Sequence, residues 1–231
     1  MTLDATNMAP MDVYRHRNEE DSAFRQAMWG VLCRQFFQKY VEPGGTLVEI
    51  AAGHCEFINQ IRAARRIAVD INPDTRRFAA QGVEVLQCPA TSLAGIGDGS
   101  ADTVFISNFL EHLTKADIVA CLRECRRILR TGGRLLILQP NIRYAHRDYW
   151  MFFDHVTPVD DRALCDVLEL EGFAIDLCRS RFLPFTMKGK APRNLFLVRA
   201  YLRCGFLHRL FGQQAFIVAR KGEGNIGVAG A

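Results

Sequence analysis

The stretch Thr46-Leu-Val-Glu-Ile-Ala-Ala-Gly-His-Cys-Glu-Phe57, followed by Arg66-Ile-Ala-Val-Asp70, constrains the fold more than any other part of the chain. It reads as a short apolar strand carrying a carboxylate, a small-residue turn, a helix, and a second apolar strand ending in a carboxylate. Asp70 lies 21 positions after Glu49. Nucleotide-binding α/β units place a ribose-binding acid at about 20 residues' distance. Ala51, Ala52 and Gly53 between the strands leave no large side chain to keep a ligand away from the backbone.

The rest of the chain continues the same alternation. Helical spacing of Phe24, Met28, Val31, Leu32, Phe36 and Tyr40 predicts a first helix from Ser22 through Tyr40, with Ser22 as its N-cap. Pro43-Gly44-Gly45 ends it. Strands are expected at Leu47–Ile50, Ile67–Asp70, Val83–Gln87, Asp102–Ser107 and Arg134–Leu138. Helices are expected from Asn72-Pro73-Asp74 through Ala80 and over Lys115–Leu129, the second stopped by Thr131-Gly132-Gly133. Further on, Asp161 caps a helix through Glu171, Phe173–Arg179 is a sixth strand, Asn194–Arg203 and Phe206–Phe211 are helical, and Gln214–Arg220 is the last strand. Strand–helix pairs in this order argue for a parallel sheet with right-handed crossovers. The whole chain of 231 residues fits one α/β domain. Within it, residues 1–43 form an N-terminal helical extension, 44–140 the cofactor-binding core, 141–214 the acceptor pocket and lid, and 215–231 the last strand and tail. The first 20 or so residues read as a loose leader, and 222–231 as frayed.

Hydrophobic residues at 49% exclude a disordered chain, and a net charge of +4 (29 basic against 25 acidic) argues against a nucleic-acid binder. The polar N-terminus lacks the apolar core of a signal peptide, and no run reaches the roughly 20 apolar residues of a membrane span. A cytoplasmic location is the resulting expectation. The eight cysteines mostly sit in apolar segments, and no zinc-ligand spacing completes around Cys121 and Cys125, so no metal site is expected. An NAD unit would need Gly-x-Gly-x-x-Gly after the first strand, where it is not met, and the Gly-Lys-Ser/Thr of a P-loop does not occur.

The layout from Leu47 to Pro140 resembles the class I S-adenosylmethionine-dependent methyltransferases. The resemblance implies a Rossmann-like, doubly wound α/β sheet of seven strands, mostly parallel with an antiparallel last strand, and S-adenosyl-L-methionine as cofactor. The family's acid and Gly-x-Gly-x-Gly fall here on Glu49, Ala51, Gly53 and Cys55, so only the middle glycine is kept. Cys55 is larger than the glycine it replaces, which tightens the loop. Asp70 matches the ribose-binding acid; on its residues alone it could instead cap the helix before Pro73, as Glu49 could cap the helix after its strand. Pro89 stands where the family shows an acid for adenine, leaving that contact to the backbone around Ala90 or to Thr91. Asp102-Thr-Val-Phe-Ile-Ser-Asn-Phe-Leu-Glu-His-Leu113 matches the family's strand running into Asn-x-x-Glu-His, with Asn108 at the carboxyl end where ligands of open sheets bind. Glu111 and His112 read equally as a helix start.

Asn141 to Pro158 interleaves Arg143, Arg147, Asp148, Asp154 and His155 with Tyr144, Tyr149, Trp150, Phe152 and Phe153. Aromatic walls with a few charges suit a polar acceptor, and the stretch resembles a bacterial subgroup acting on small molecules or surface glycans. Arg143, Tyr144, Arg147 and Tyr149 are the candidate acceptor-binding residues. His155 is the candidate base for a hydroxyl acceptor, oriented by Asp154 or Asp148; it could instead cap the helix beginning near Asp161 or pack under Phe153. Arg193 to Phe211 reads first as a lid or a homodimer face, and otherwise as a basic amphipathic helix on a membrane or a lipid-linked substrate. Two rival functions stay open: a non-catalytic nucleoside-binding module of the same fold, and a nucleic-acid methyltransferase gripping its substrate through Arg193–Arg209.

Overall fold

A computed structural model describes residues 22–185 and 194–222. The expected leader, Arg193 and the tail beyond Gly222 lie outside the described residues.

Seven strands form one sheet in the order β3-β2-β1-β4-β5-β7-β6. They are β1 (Thr46–Ile50), β2 (Arg65–Asp70), β3 (Val83–Gln87), β4 (Ala101–Ser107), β5 (Leu129–Pro140), β6 (Phe173–Arg179) and β7 (Gln214–Lys221). All pairings among β1 to β5 are parallel, and β7 runs antiparallel to both β5 and β6. This is the expected doubly wound sheet. Strand order reverses between β1 and β4, where Ile50 pairs with Ile106; at such a point the carboxyl ends of an open α/β sheet form the ligand crevice.

Both faces of the sheet are covered, which is why its central strands are continuous apolar runs rather than alternating ones. Val48, Ile50, Val104, Ile106, Leu135 and Ile137 point into one core, shared with α3 (Lys115–Ile128) and α5 (Asp161–Leu170). Leu47, Ala68, Phe105, Leu136 and Leu138 point into the other. There α1 (Ser22–Gln35) delivers Trp29, Leu32 and Cys33, and the turn behind it delivers Phe36 and Phe37.

Three expectations need correction. The first helix does not reach Tyr40: it ends at Gln35, and Phe37–Tyr40 is a 3₁₀ turn. Phe36 stacks on Phe182 at 4.1 Å while Phe37 meets Phe105 at 5.4 Å. Phe36, between the helix and the turn, leaves helical backbone (φ −131°, ψ −57°), and that break lets both rings face inward. The crossover between β1 and β2 is a series of turns, not a helix. Ala51, Gly53 and Cys55 all take positive φ, and the Ile58 amide donates to the Glu49 carboxylate at 3.1 Å.

Thr131-Gly132-Gly133, expected to stop the long helix, instead lies inside β5, which begins at Leu129 directly after α3. A Cβ on Gly133 would sit 2.8 Å from the Arg130 carbonyl oxygen, so the irregular pairing there depends on glycine. The remaining helices are α2 (Thr75–Phe78), α4 (Ile142–Ala145), α6 (Leu195–Arg203) and α7 (Gly205–Phe211). Asp160, one residue earlier than expected, caps α5 by accepting from the Arg162 and Ala163 amides.

Candidate active site

At the carboxyl end of β2, Asp70 accepts from the Gly53 amide at 2.7 Å and from the Asn72 amide at 2.8 Å. One carboxylate thus ties the β1 turn to the β2 turn, and it stays partly exposed at the crevice. Glu49 is 5% exposed and lies beneath the loop, with its carboxyl raised well above the ordinary range by burial. It braces the crossover from below. Ala51 (φ 53°) and Cys55 (φ 55°) hold left-handed backbone without being glycine, at a cost of about 1–2 kcal/mol each. The Cys55 side chain is fully buried, and its thiol donates to the Thr75 carbonyl at 3.8 Å. The larger residue therefore fills the core and leaves the ligand side of the loop clear.

Asn108 ends β4 in a left-handed conformation (φ 47°), exposed at the switch point, with its amide donating to the Leu138 carbonyl. Ala90, after β3, packs its methyl into the first core, so only its backbone is open to a ligand.

Beyond Asn108 a short 3₁₀ turn, Leu110–His112, carries a buried polar cluster. Glu111 is 1% exposed, and burial raises its carboxyl above the ordinary range against the pull of His112. Gln139 on β5 donates to it at 2.6 Å. His112 Nε2 lies 3.8 Å and His155 Nε2 3.9 Å from the same Glu111 oxygen. His112 Nδ1 is 2.9 Å from the Asp154 carbonyl and 3.4 Å from its carboxylate. His155 is 9% exposed and packed among the rings of Tyr149, Phe152, Phe185 and His112. His112 is the more open of the two, its side chain 28% exposed.

Where no metal site was expected, Glu111, His112 and His155 offer donor atoms within 4.8 Å of one another. A tetrahedral zinc with ligands about 2.1 Å away would hold them about 3.4 Å apart, and the 3.8 and 3.9 Å separations from Glu111 are wider than that.

The acceptor segment divides between structure and surface. Tyr149 is fully buried; its hydroxyl donates to the Thr157 carbonyl and accepts from the Val159 amide, and burial pushes it well up. Arg143 grips both oxygens of Asp161, at 2.8 and 3.1 Å. Tyr144 is half-buried, with Arg181 4.7 Å over its ring. Arg147, Trp150, Met151 and Phe153 are exposed. Sequence reasoning left His112 undecided and did not single out Gln139; the available signal was a lone glutamine between Leu138 and Pro140.

A family model described as a methyltransferase domain matches residues 48–137, the span that holds β1 to β5 and the crevice. Residues 48–137 are thus a methyltransferase domain, in a fold shared with S-adenosylmethionine-dependent methyltransferases.

Solved structures agree on the fold. A methyltransferase from Archaeoglobus fulgidus is 25% identical, covering 85% of this chain and 94% of its own, with a TM-score of 0.64. A Haloferax volcanii protein solved in complex with the Trm112 methyltransferase activator is 17% identical over 92% and 95% of the chains, with a TM-score of 0.64. One from Mesorhizobium loti is 13% identical over 83% and 98%, with a TM-score of 0.58. No curated protein sequence gives a significant match. S-adenosylmethionine is thus the methyltransferase's cofactor. The described residues fit it: a partly exposed acid ends β2, a loop of small residues in left-handed backbone follows β1, and the exposed Asn108 follows β4.

Proposed function

We propose that this methyltransferase acts on a hydroxyl of a small molecule or glycan, with Asp70, Ala51, Gly53, Asn108 and the Ala90 backbone holding the cofactor and Glu49 bracing their loop. The observation that carries the reading is the pair of histidines around Glu111, directly beyond Asn108 at the switch point. The cofactor supplies an electrophilic methyl on a sulfonium. Transfer to oxygen forms a carbon–oxygen bond and breaks the carbon–sulfur bond, and the hydroxyl proton must leave. Alignment supplies most of the rate.

His112 is the ring best placed to take that proton. Donation from Nδ1 to the Asp154 carbonyl leaves the Nε2 lone pair free to accept the proton. Asp154, assigned from sequence to orient His155, thereby orients His112. His155 would act as the base directly only if Phe152 and Phe185 parted; in its packed position it backs His112. Arg147 and Tyr144 position the acceptor at the rim, while Arg143 and Tyr149 shape the segment from behind.

The test is calorimetry with S-adenosylmethionine followed by label transfer to a panel of hydroxylated sugars and aromatic alcohols. Micromolar binding and label on oxygen support the reading. Absence of binding would leave a non-catalytic module, and label on RNA bases a nucleic-acid enzyme.

A further inference from the structure

Residues 180–213 contain seven of the chain's 29 basic residues and none of its 25 acidic ones. The rest of the chain is therefore net acidic, and the basic charge is concentrated on one excursion. That excursion leaves the sheet after β6 and returns at Gln214, which pairs with Pro140 at the carboxyl end of β5. Its two helices, α6 and α7, consequently sit at the edge of the sheet that carries the active site.

Each helix is anchored by its inner side alone. Val198 and Leu202 of α6 pack against the core beneath α1, and the Tyr201 hydroxyl donates to the Phe182 carbonyl. His208 of α7 turns inward, 3.0 Å from the Tyr201 carbonyl. The outer side is of a different character. Phe196, Arg199 and Arg203 recur at i, i+3 and i+7, with Leu197 beside them; Phe206, Arg209 and Leu210 recur at i, i+3 and i+4, with Phe211 beside them. Phe196 is 69%, Phe206 65%, Phe211 59% and Leu210 51% exposed. All three arginines are exposed as well, and none ion-pairs with another described residue.

A lid closing on a polar acceptor has no use for large apolar side chains on its outward surface, and a solvated basic face has none either. From this we propose that the α6–α7 face docks on an anionic lipid bilayer, with Phe196, Leu197, Phe206, Leu210 and Phe211 entering the headgroup region and Arg199, Arg203 and Arg209 meeting lipid phosphates. Apolar side chains interleaved with cations are what an interfacial helix needs. A single-stranded RNA would be met by the cations but would leave the exposed Leu197 and Leu210 without a partner. The attachment places the crevice beside the bilayer and holds whichever acceptor the methyltransferase uses.

The test is sedimentation of the full chain with vesicles of phosphatidylcholine alone, or of phosphatidylcholine with phosphatidylglycerol. Binding is expected to the anionic vesicles only and to weaken as salt rises. A variant carrying Arg199→Gln, Arg203→Gln and Arg209→Gln is expected to lose roughly 10²-fold in partitioning, since each surface cation contributes about fivefold. A second variant, Phe196→Ser with Phe206→Ser, is expected to lose vesicle binding while its circular dichroism spectrum and S-adenosylmethionine affinity stay unchanged. Cofactor binding is read independently, so failure here is separable from failure of the functional reading. Equal binding to neutral and anionic vesicles, or none to either, would overturn the proposal. So would tighter binding to single-stranded RNA abolished by the same arginine changes, or a stable dimer in solution dispersed by the Phe→Ser pair.

Discussion

The two ends of one sheet are built on opposite terms. At the amino ends of the parallel strands, charges are paired close to solvent. Asp102 accepts from the Thr46 amide at 2.7 Å and from Arg130 at 2.6 Å; these bonds outweigh burial and hold its carboxyl below the ordinary range. Arg127 spans Glu124, Asp98 and the Leu93 and Ile96 carbonyls, and Arg123 meets Glu171. Even the depression of about 850 Å³ at this end is lined by Arg123 and Arg127, both engaged in such pairs. At the carboxyl ends, Ala51, Cys55 and Asn108 sit in left-handed backbone, and Glu49 and Glu111 are buried with raised carboxyls. Strain and charge imbalance collect where ligands bind. The contrast teaches that the two edges fail in different ways: one in stability, the other in function.

That contrast can be broken or sharpened by substitution. The largest effect is expected for His112→Ala, a loss of roughly 10²–10⁴ in turnover with cofactor affinity unchanged. His155→Ala assayed alongside distinguishes the two rings, because a backing role for His155 predicts the smaller loss. At the opposite edge, Asp102→Ala should cost about 1–3 kcal/mol of stability, since the Thr46 amide loses its acceptor. Urea unfolding measures this, and calorimetry should show the cofactor affinity untouched; a matching affinity loss would erase the division between edges.

Asp70→Ala is expected to weaken S-adenosylmethionine binding at least tenfold, about 1.4 kcal/mol. A stability loss should accompany it, because the Gly53 and Asn72 amides lose their acceptor. Unchanged affinity would remove Asp70 from the site. Ala51→Gly should stabilise the fold by about 0.5–1 kcal/mol, because glycine takes φ 53° without steric cost. A lower melting temperature would show that the Ala51 methyl packs more than it strains.

The smallest effect is a slope. Burial raises the Glu49 carboxyl in the folded chain, so the unfolded chain releases that proton first, near pH 4.3. The stabilisation is complete below that pH and is lost as pH rises toward the folded value. Glu49→Gln removes this loss. Its unfolding midpoint should gain on the wild type between pH 4 and pH 8, and parallel curves would refute the assignment.

The sequence by itself determined the elements whose cause is local. An apolar run with a terminal acid specifies a buried parallel strand and puts Asp70 at its end, Val83–Gln87 falls where alternation placed it, and Phe173–Arg179 follows Gly172 as expected. The Asn108–His112 pattern likewise marked the carboxyl end of β4. What only tertiary structure decided depends on partners distant in sequence. Phe36 and Phe37 break α1 because Phe182 and Phe105 draw both rings inward. The crossover after β1 forgoes a helix because Glu49 takes the Ile58 amide. Asp154 lies on His112, 42 residues away, because the acceptor segment folds back over the 3₁₀ turn. Local pattern encodes which groups can be buried. Which ring or carboxylate meets another is set by long-range packing, for which a sequence pattern has no period.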